Sequence, residues 1–133
     1  MKKSPVVHFE MPYKDAKRLS DFYSATFGWD MQQTGPEMGN YVVAHTAETD
    51  ENQMVKTPGT INGGFFPQDE KQPGRNIPSF VISVDNLEEA MENVKKAGGK
   101  IEGEPMPIPG IGMWAVFTDT EGNRVSILQP DTK

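Results

Sequence analysis

The chain has 133 residues, a formal net charge of −6 and no cysteine. That length forms one compact unit able to bury a real core, while the acidic balance excludes a nucleic-acid binder, because phosphate contacts need clustered Lys and Arg. The missing thiols exclude disulfides, thiolate nucleophiles and Cys-ligated metals.

In chain order, residues 5–11 read as a strand, with Val7, Phe9 and Met11 alternating against His8 and Glu10. Asp15 is placed to cap a helix through its carboxylate. In "DAKRLSDFYSATFGW" the apolar Ala16, Leu19, Phe22, Tyr23 and Phe27 fall at helical spacing and predict one buried stripe, ended by Gly28. "WDMQQ", "NYVVAHTAE" and "TINGGFFP" predict three further strands, the last weakened or bulged by Gly63 and Gly64. "PQDEKQPGRNIP" has linker composition.

The same order then recurs. "SFVISV" alternates Phe80, Ile82 and Val84 against Ser79, Val81 and Ser83. Asp85 or Asn86 caps a helix over "LEEAMENVKKA", with Leu87, Ala90, Met91 and Val94 as its stripe. "GKIEG", "MWAVFTD" and "NRVSILQ" supply three more strands, the last two joined by the turn "DTEGN". His8 and Ser79, like Gly28 and Gly99, are separated by one shared offset, so the chain reads as an internal repeat. "GEPMPIPGIG" interrupts the second half and is too apolar for a plain surface loop. A flap over a pocket and ordinary packing at the sheet edge both fit it.

With one helix per half, the large apolar residues Val7, Phe9, Met11, Phe80, Ile82, Val84, Val125 and Ile127 belong beneath the helices. The opposite faces then carry His8, Glu10, Ser79, Ser83, Arg124 and Ser126, with Val81, Leu128 and Trp114 as apolar surface. Apolar walls with a few polar groups are what a small-molecule pocket requires. Trp114, Met113 and Met106 read either as core or as the lining for a flat hydrophobic ligand.

His8 and Glu10 admit three readings: the start of a metal site, an acid and base pair, or a pocket wall. A carboxylate in a partly apolar cavity makes a better base near neutral pH, with His8 as partner acid. The structural alternative pairs Glu10 with Arg124 or a backbone donor. His45, the other histidine, reads as exposed and solvated.

The segments "HFEMPYKDAKRLSDFYSATFGW", "FVISVDNLEEAMENVKKAGGKI" and "IPGIGMWAVFTDTEGNRVSILQ" resemble the vicinal oxygen chelate superfamily, which includes glyoxalase I, bleomycin-resistance proteins, fosfomycin-resistance enzymes and extradiol dioxygenases. The likeness runs from about Pro5 to Pro130 and is nearest to a glyoxalase-related branch with "HFE" near its start and "IPG.G" before its penultimate strand. It implies an α+β fold of two paired βαβββ modules, forming a cupped, mostly antiparallel sheet around a cavity. Module one covers about 5–66, a linker 67–78 and module two about 79–130. Metal-dependent members draw ligands from the first and last strands of each module. Matched residue by residue, those positions fall on His8, on Gly63 or Gly64, on Ser79 and on Ser126, so only His8 is a family ligand retained.

A catalytic metal usually needs about three protein ligands. The expectation is therefore a small-molecule-binding protein with an incomplete metal site and a pocket lined by His8, Glu10, Ser79, Ser83, Trp114, Arg124 and Ser126. The alternative is a lyase, isomerase or dioxygenase-type enzyme using a metal at His8 and Glu10, or Glu10 as general base with His8. No cofactor is expected, a divalent metal being the alternative. The resemblance also implies a homodimer. No run approaches a membrane span, and no apolar core of signal-peptide length follows "MKKSPVV" before Glu10 and Pro12. A cytoplasmic protein with a small-molecule ligand, no nucleic acid and no membrane is expected.

Overall fold

A computed structural model describes residues 1–131. It is α+β, and it divides into two compact units, one spanning His8–Pro78 and the other joining Met1–Val7 to the chain from Ser79 onward.

The first unit is built from most of β1 (Val6–Tyr13), α1 (Ala16–Phe27), β2 (Asp30–Gln33), β3 (Val42–His45) and β4 (Asn62–Pro67). β1 runs parallel to β4, with Phe9 opposite Gly63 and Glu10 opposite Gly64. β3 pairs antiparallel with both β4 and β2. As the sequence predicts, Asp15 caps α1 by accepting from the Arg18 amide, and Gly28 ends it in the left-handed conformation.

The helix-side core gathers Val42, Ala44 and Phe65 with Phe9, Met11, Leu19, Tyr23 and Trp29. Tyr23 stacks on Trp29 at 4.7 Å between ring centroids, and Phe9 meets Phe65 edge-on. The predicted stripe of α1 is corrected here. Phe22 and Phe27 are 55% and 61% exposed, and the half-buried Ala16, Leu19 and Tyr23 carry the packing. Phe22 lies at the rim of the face made by Ala16, Leu19 and Tyr23, while Phe27, in phase with Tyr23, is the last residue of the helix, where its ring meets only Tyr23 and Trp29 among the described aromatic pairs.

No bulge is recorded at Gly63 and Gly64, whose pairing with β1 keeps one register. The glycines answer to their neighbours instead. A Cβ on Gly63 would clash with the Phe9 ring, and one on Gly64 with the Tyr41 phenol. The "linker" carries a short 3-10 turn, Pro73–Arg75, and is tied by reciprocal Asp69–Asn76 hydrogen bonds of 2.9 Å.

The second unit repeats the topology with β5 (Ser79–Ser83), α2 (Leu87–Lys96), β6 (Lys100–Ile108), β7 (Gly112–Thr118) and β8 (Arg124–Pro130). β5 is parallel to β8, and β7 is antiparallel to both β8 and β6. Asn86, rather than Asp85, caps α2 by accepting from the Glu89 amide. Glu88 and Glu89 in its first turn and Lys95 and Lys96 in its last suit the helix dipole. Leu87, Ala115 and Ile127 are buried, with Ile82, Val84, Ala90, Met91, Met113 and Phe117 around them.

Two expectations under the helices fail, because Val7 and Phe80 are 37% and 41% exposed. The proline-rich segment is an edge strand rather than a flap. β6 continues through it to Ile108, with a register shift between Glu102 and Met106, and the Ile111 amide closes the turn on the Ile108 carbonyl. Pro105 and Pro107 are tolerated there because an edge strand leaves one side of its backbone unpaired. Among the described residues, no helix is long and apolar enough to cross a membrane.

Candidate functional site

Period two divides β1 cleanly. Phe9, Met11 and Tyr13 pack into the helix-side core, which sends His8 and Glu10 to the opposite, open face of the first unit. On β3, Val42 and Ala44 are buried in that same core, so Val43 and His45 share the open face with His8. Tyr41, just before β3, continues this alternation.

Tyr41 is the residue that sequence reasoning missed. Its phenol extends over Gly64, in the space a side chain there would need. Its hydroxyl donates to Glu10 Oε2 at 3.2 Å and lies 3.2 Å from His8 Nε2. All three side chains are half-buried. Burial, then the charge and hydrogen bond of Glu10, raise the Tyr41 phenol far above the ordinary tyrosine value. Burial lowers His8 below its ordinary value.

Those facts set the protons. A hydroxyl has one hydrogen, and an ionised carboxylate can only accept. The Tyr41 proton therefore points at Glu10, and neutral His8 carries its own proton on Nε2 and donates to the Tyr41 oxygen. The result is a directed chain, His8 to Tyr41 to Glu10, with Nδ1 of His8 left as a lone pair. Tyr41 is thus one partner of Glu10, beside the Arg124 or backbone donor that was expected to hold it. The alternation in "NYVVAH" was the available signal, since it puts Tyr41 in phase with His45. His45 itself is half-buried, not the solvated residue expected.

The remaining predicted residues lie in the second unit. Cross-strand registers place Ser83, Leu128, Trp114 and Met106 in one row, and Val81, Ser126, Val116 and Glu102 in the next. Ser126 is 2% exposed. Ser79 Oγ donates to the Arg124 carbonyl at 2.9 Å. Arg124 Nε lies 3.6 Å from Glu102 Oε1, and the Thr118 hydroxyl donates to the other Glu102 oxygen. Glu102 and Thr118 were also missed, because nothing local in "GKIEG" marks its glutamate as the partner of an arginine on β8. The expected faces hold in this unit: Trp114, Arg124 and Ser126 oppose the core residues Ala115 and Ile127 in the strand alternation.

A profile of the Glyoxalase/Bleomycin resistance protein/Dioxygenase superfamily matches residues 6–127. This chain belongs to that superfamily. Among its relatives, a glyoxylase-like domain-containing protein of Didymella fabae is 34% identical over 121 residues, covering 89% of this chain and 88% of the relative. Lactoylglutathione lyase of Escherichia coli O157:H7 is 26% identical over 127 residues, covering 93% and 91%. The methylmalonyl-CoA epimerase of Mycobacterium tuberculosis superposes with a TM-score of 0.65 at 13% identity, covering 96% of this chain and 88% of that one. That last likeness speaks to the fold alone.

The resemblance implied a divalent metal, and the donors can be tested against one. β1 offers His8 and Glu10, but His8 Nε2 is engaged with Tyr41. β4 offers glycine, and the Tyr41 ring fills the space a ligand side chain from Gly64 would use. Ser79 and Ser126 are poor divalent-metal ligands beside His or carboxylate. Among the described residues, no three His, Asp or Glu side chains group as metal ligands. The side chains present do not fit a three-ligand catalytic centre.

Proposed function

We propose that this protein is a small-molecule-binding member of its superfamily, with the His8–Tyr41–Glu10 chain as the polar centre of its site and no catalytic metal. The observation that carries this reading is the Tyr41 hydroxyl lying over Gly64 between His8 and Glu10. It converts a metal-type strand pair into a hydrogen-bonded one. Superfamily membership supports a small molecule as the ligand and, with it, a cytoplasmic homodimer as the working form.

A second reading, a lyase or isomerase with Glu10 as base, draws support from the lactoylglutathione lyase relatives. Against it, one oxygen of Glu10 already accepts the Tyr41 proton. Metal analysis of protein purified without chelator tests the first reading directly. We expect substoichiometric Ni, Zn, Mn and Fe, and no thermal stabilisation by any of them. Stoichiometric metal lost on His8→Ala would overturn it. A thermal-shift screen of aromatic and hydrophobic compounds should return ligands whose stabilisation disappears in Tyr41→Phe. Turnover of a thioester or hemithioacetal abolished by Glu10→Gln would establish the second reading instead, and light scattering checks the dimer.

A further inference from the structure

One carboxamide on the open face of the first unit is oriented before any ligand arrives. Asn62 begins β4, two residues before Gly64. Both therefore face away from the helix-side core, toward which the Gly63 position between them is turned, against Phe9. Asn62 stands directly opposite His8 on β1. Its Oδ1 accepts from two backbone amides, Thr46 at 2.9 Å and Ala47 at 2.8 Å. Two N–H donors can converge only on an acceptor, so the oxygen is fixed there and Nδ2 is turned away from those amides. Among the described residues, Nδ2 of Asn62 meets no acceptor, and the buried side-chain atoms left without a partner are Ser20 Oγ and Arg124 Nε. Both Nδ2 hydrogens are thus unengaged and reach solvent.

Other polar groups share this face. Gln32 lies opposite Val43, and His45 lies opposite Asp30. Each can donate or accept, yet among the described residues no hydrogen bond holds either side chain in one orientation. Binding must order them, whereas folding has already ordered Asn62. Val43, opposite Gly64, and the Tyr41 ring over that glycine give apolar surface one step along the strands. The strands themselves, "VVHFEMPY", "DMQQ", "VVAH" and "NGGFFP", contain no lysine or arginine.

We infer that Asn62 determines the specificity of this site, its Nδ2 receiving an uncharged carbonyl oxygen, of amide or lactam type, on a flat apolar body that lies against Val43 and Tyr41. This deepens the reading above and rests on it. A carbonyl oxygen accepts what Nδ2 donates, while an analogue lacking it covers an ordered donor and leaves it without a partner. A carboxylate offers acceptors too, but no cationic side chain of these strands replaces its hydration, and Asp30 stands on the same face.

The test uses three probes on one ring frame: oxindole with its lactam carbonyl, indoline with a methylene in that place, and indoline-2-carboxylate. Affinity is read by NMR titration near neutral pH, following the Asn62 side-chain amide, assigned through Asn62→Asp, and the His8 ring, assigned through His8→Gln. Oxindole should move the Asn62 signal and bind about three- to tenfold tighter than indoline, the effect of one neutral hydrogen bond, and tighter than the carboxylate. Asn62→Asp keeps the acceptor for Thr46 and Ala47 and removes the donor. It should abolish the preference for oxindole over indoline while those two amides stay protected from exchange, a result that a purely structural Asn62 would not give. If that variant does not fold, the wild-type comparison decides alone. Indoline binding as tightly as oxindole, or the carboxylate more tightly, with the His8 signal moved, would overturn the inference and leave the binding reading intact. No probe moving Asn62 or His8 at millimolar concentration would overturn both.

Discussion

Gly64→Ala is a single added methyl group whose consequence follows from one side chain. The new Cβ would clash with the Tyr41 phenol, at its Oη, Cε2 and Cζ atoms. The obstruction is the far end of a flexible side chain rather than backbone, so β4 should hold and the phenol should swing away. The hydroxyl then loses Glu10 and His8 together. A hydrogen bond to a charged group contributes roughly 1.5–3 kcal/mol and a neutral one roughly 0.5–1.5 kcal/mol, so the loss is about 2–4 kcal/mol. Replacing glycine returns about 0.5–1 kcal/mol by narrowing the unfolded ensemble. The net cost is roughly 1–3 kcal/mol, a fall in Tm of about 3–5 °C per kcal/mol for a chain of this size.

Urea denaturation measures the cost, and a double-mutant cycle locates it. In a Tyr41→Ala background the same Gly64→Ala change should cost nothing or stabilise, because the obstruction is gone. Tyrosinate absorbance gives a second readout. The wild-type phenol of Tyr41 is held protonated far above the ordinary range by burial and Glu10, so the released phenol should titrate at lower pH. Unchanged stability with an unchanged tyrosinate titration would refute the reasoning.

Three further outcomes are expected. Burial lowers the folded pKa of His8 below its usual 6.5, so the unfolded chain protonates first as pH falls. The contribution of neutral His8 is complete above that value and fades as pH drops through the folded pKa. The urea stability gap between wild type and His8→Gln should therefore shrink on acidification, and a pH-independent gap would be contrary evidence. Glu102→Gln keeps an acceptor for Thr118 but leaves Arg124, only 19% exposed, without its counter-charge. It should cost about 1–3 kcal/mol by urea titration, largely recovered by adding Arg124→Met. Asn62 Oδ1 accepts from the Thr46 and Ala47 amides at 2.9 and 2.8 Å. Asn62→Ala should cost about 1–2 kcal/mol and speed hydrogen exchange at both amides, whereas Asn62→Asp should preserve their protection.

Local pattern settled most of the architecture. Asp15, Gly28 and Asn86 carry capping chemistry that acts within a few residues, so the helix ends were legible from the chain. Alternation put His8 and Glu10 on the face away from Phe9 and Met11, because successive strand side chains must point oppositely. The same rule put Trp114, Arg124 and Ser126 on one face of the second unit. The shared offset between His8 and Ser79 anticipated the βαβββ order that the elements follow twice.

What pattern could not supply was which distant side chains meet. Phe22 and Phe27 have helical spacing, yet only Ala16, Leu19 and Tyr23 point at β3 and β4. Gly63 and Gly64 looked like weak points in a strand, whereas their missing side chains are the space into which Phe9 and Tyr41 fit. Tyr41 reaches Glu10 from 31 positions along the chain, and Glu102 reaches Arg124 across the β7 strand between them. Sequence alone determined the faces, because strand and helix periods are properties of neighbouring residues. Only the tertiary structure decided that a tyrosine, lying over a glycine, joins His8 to Glu10, because that contact depends on the register of three separate strands.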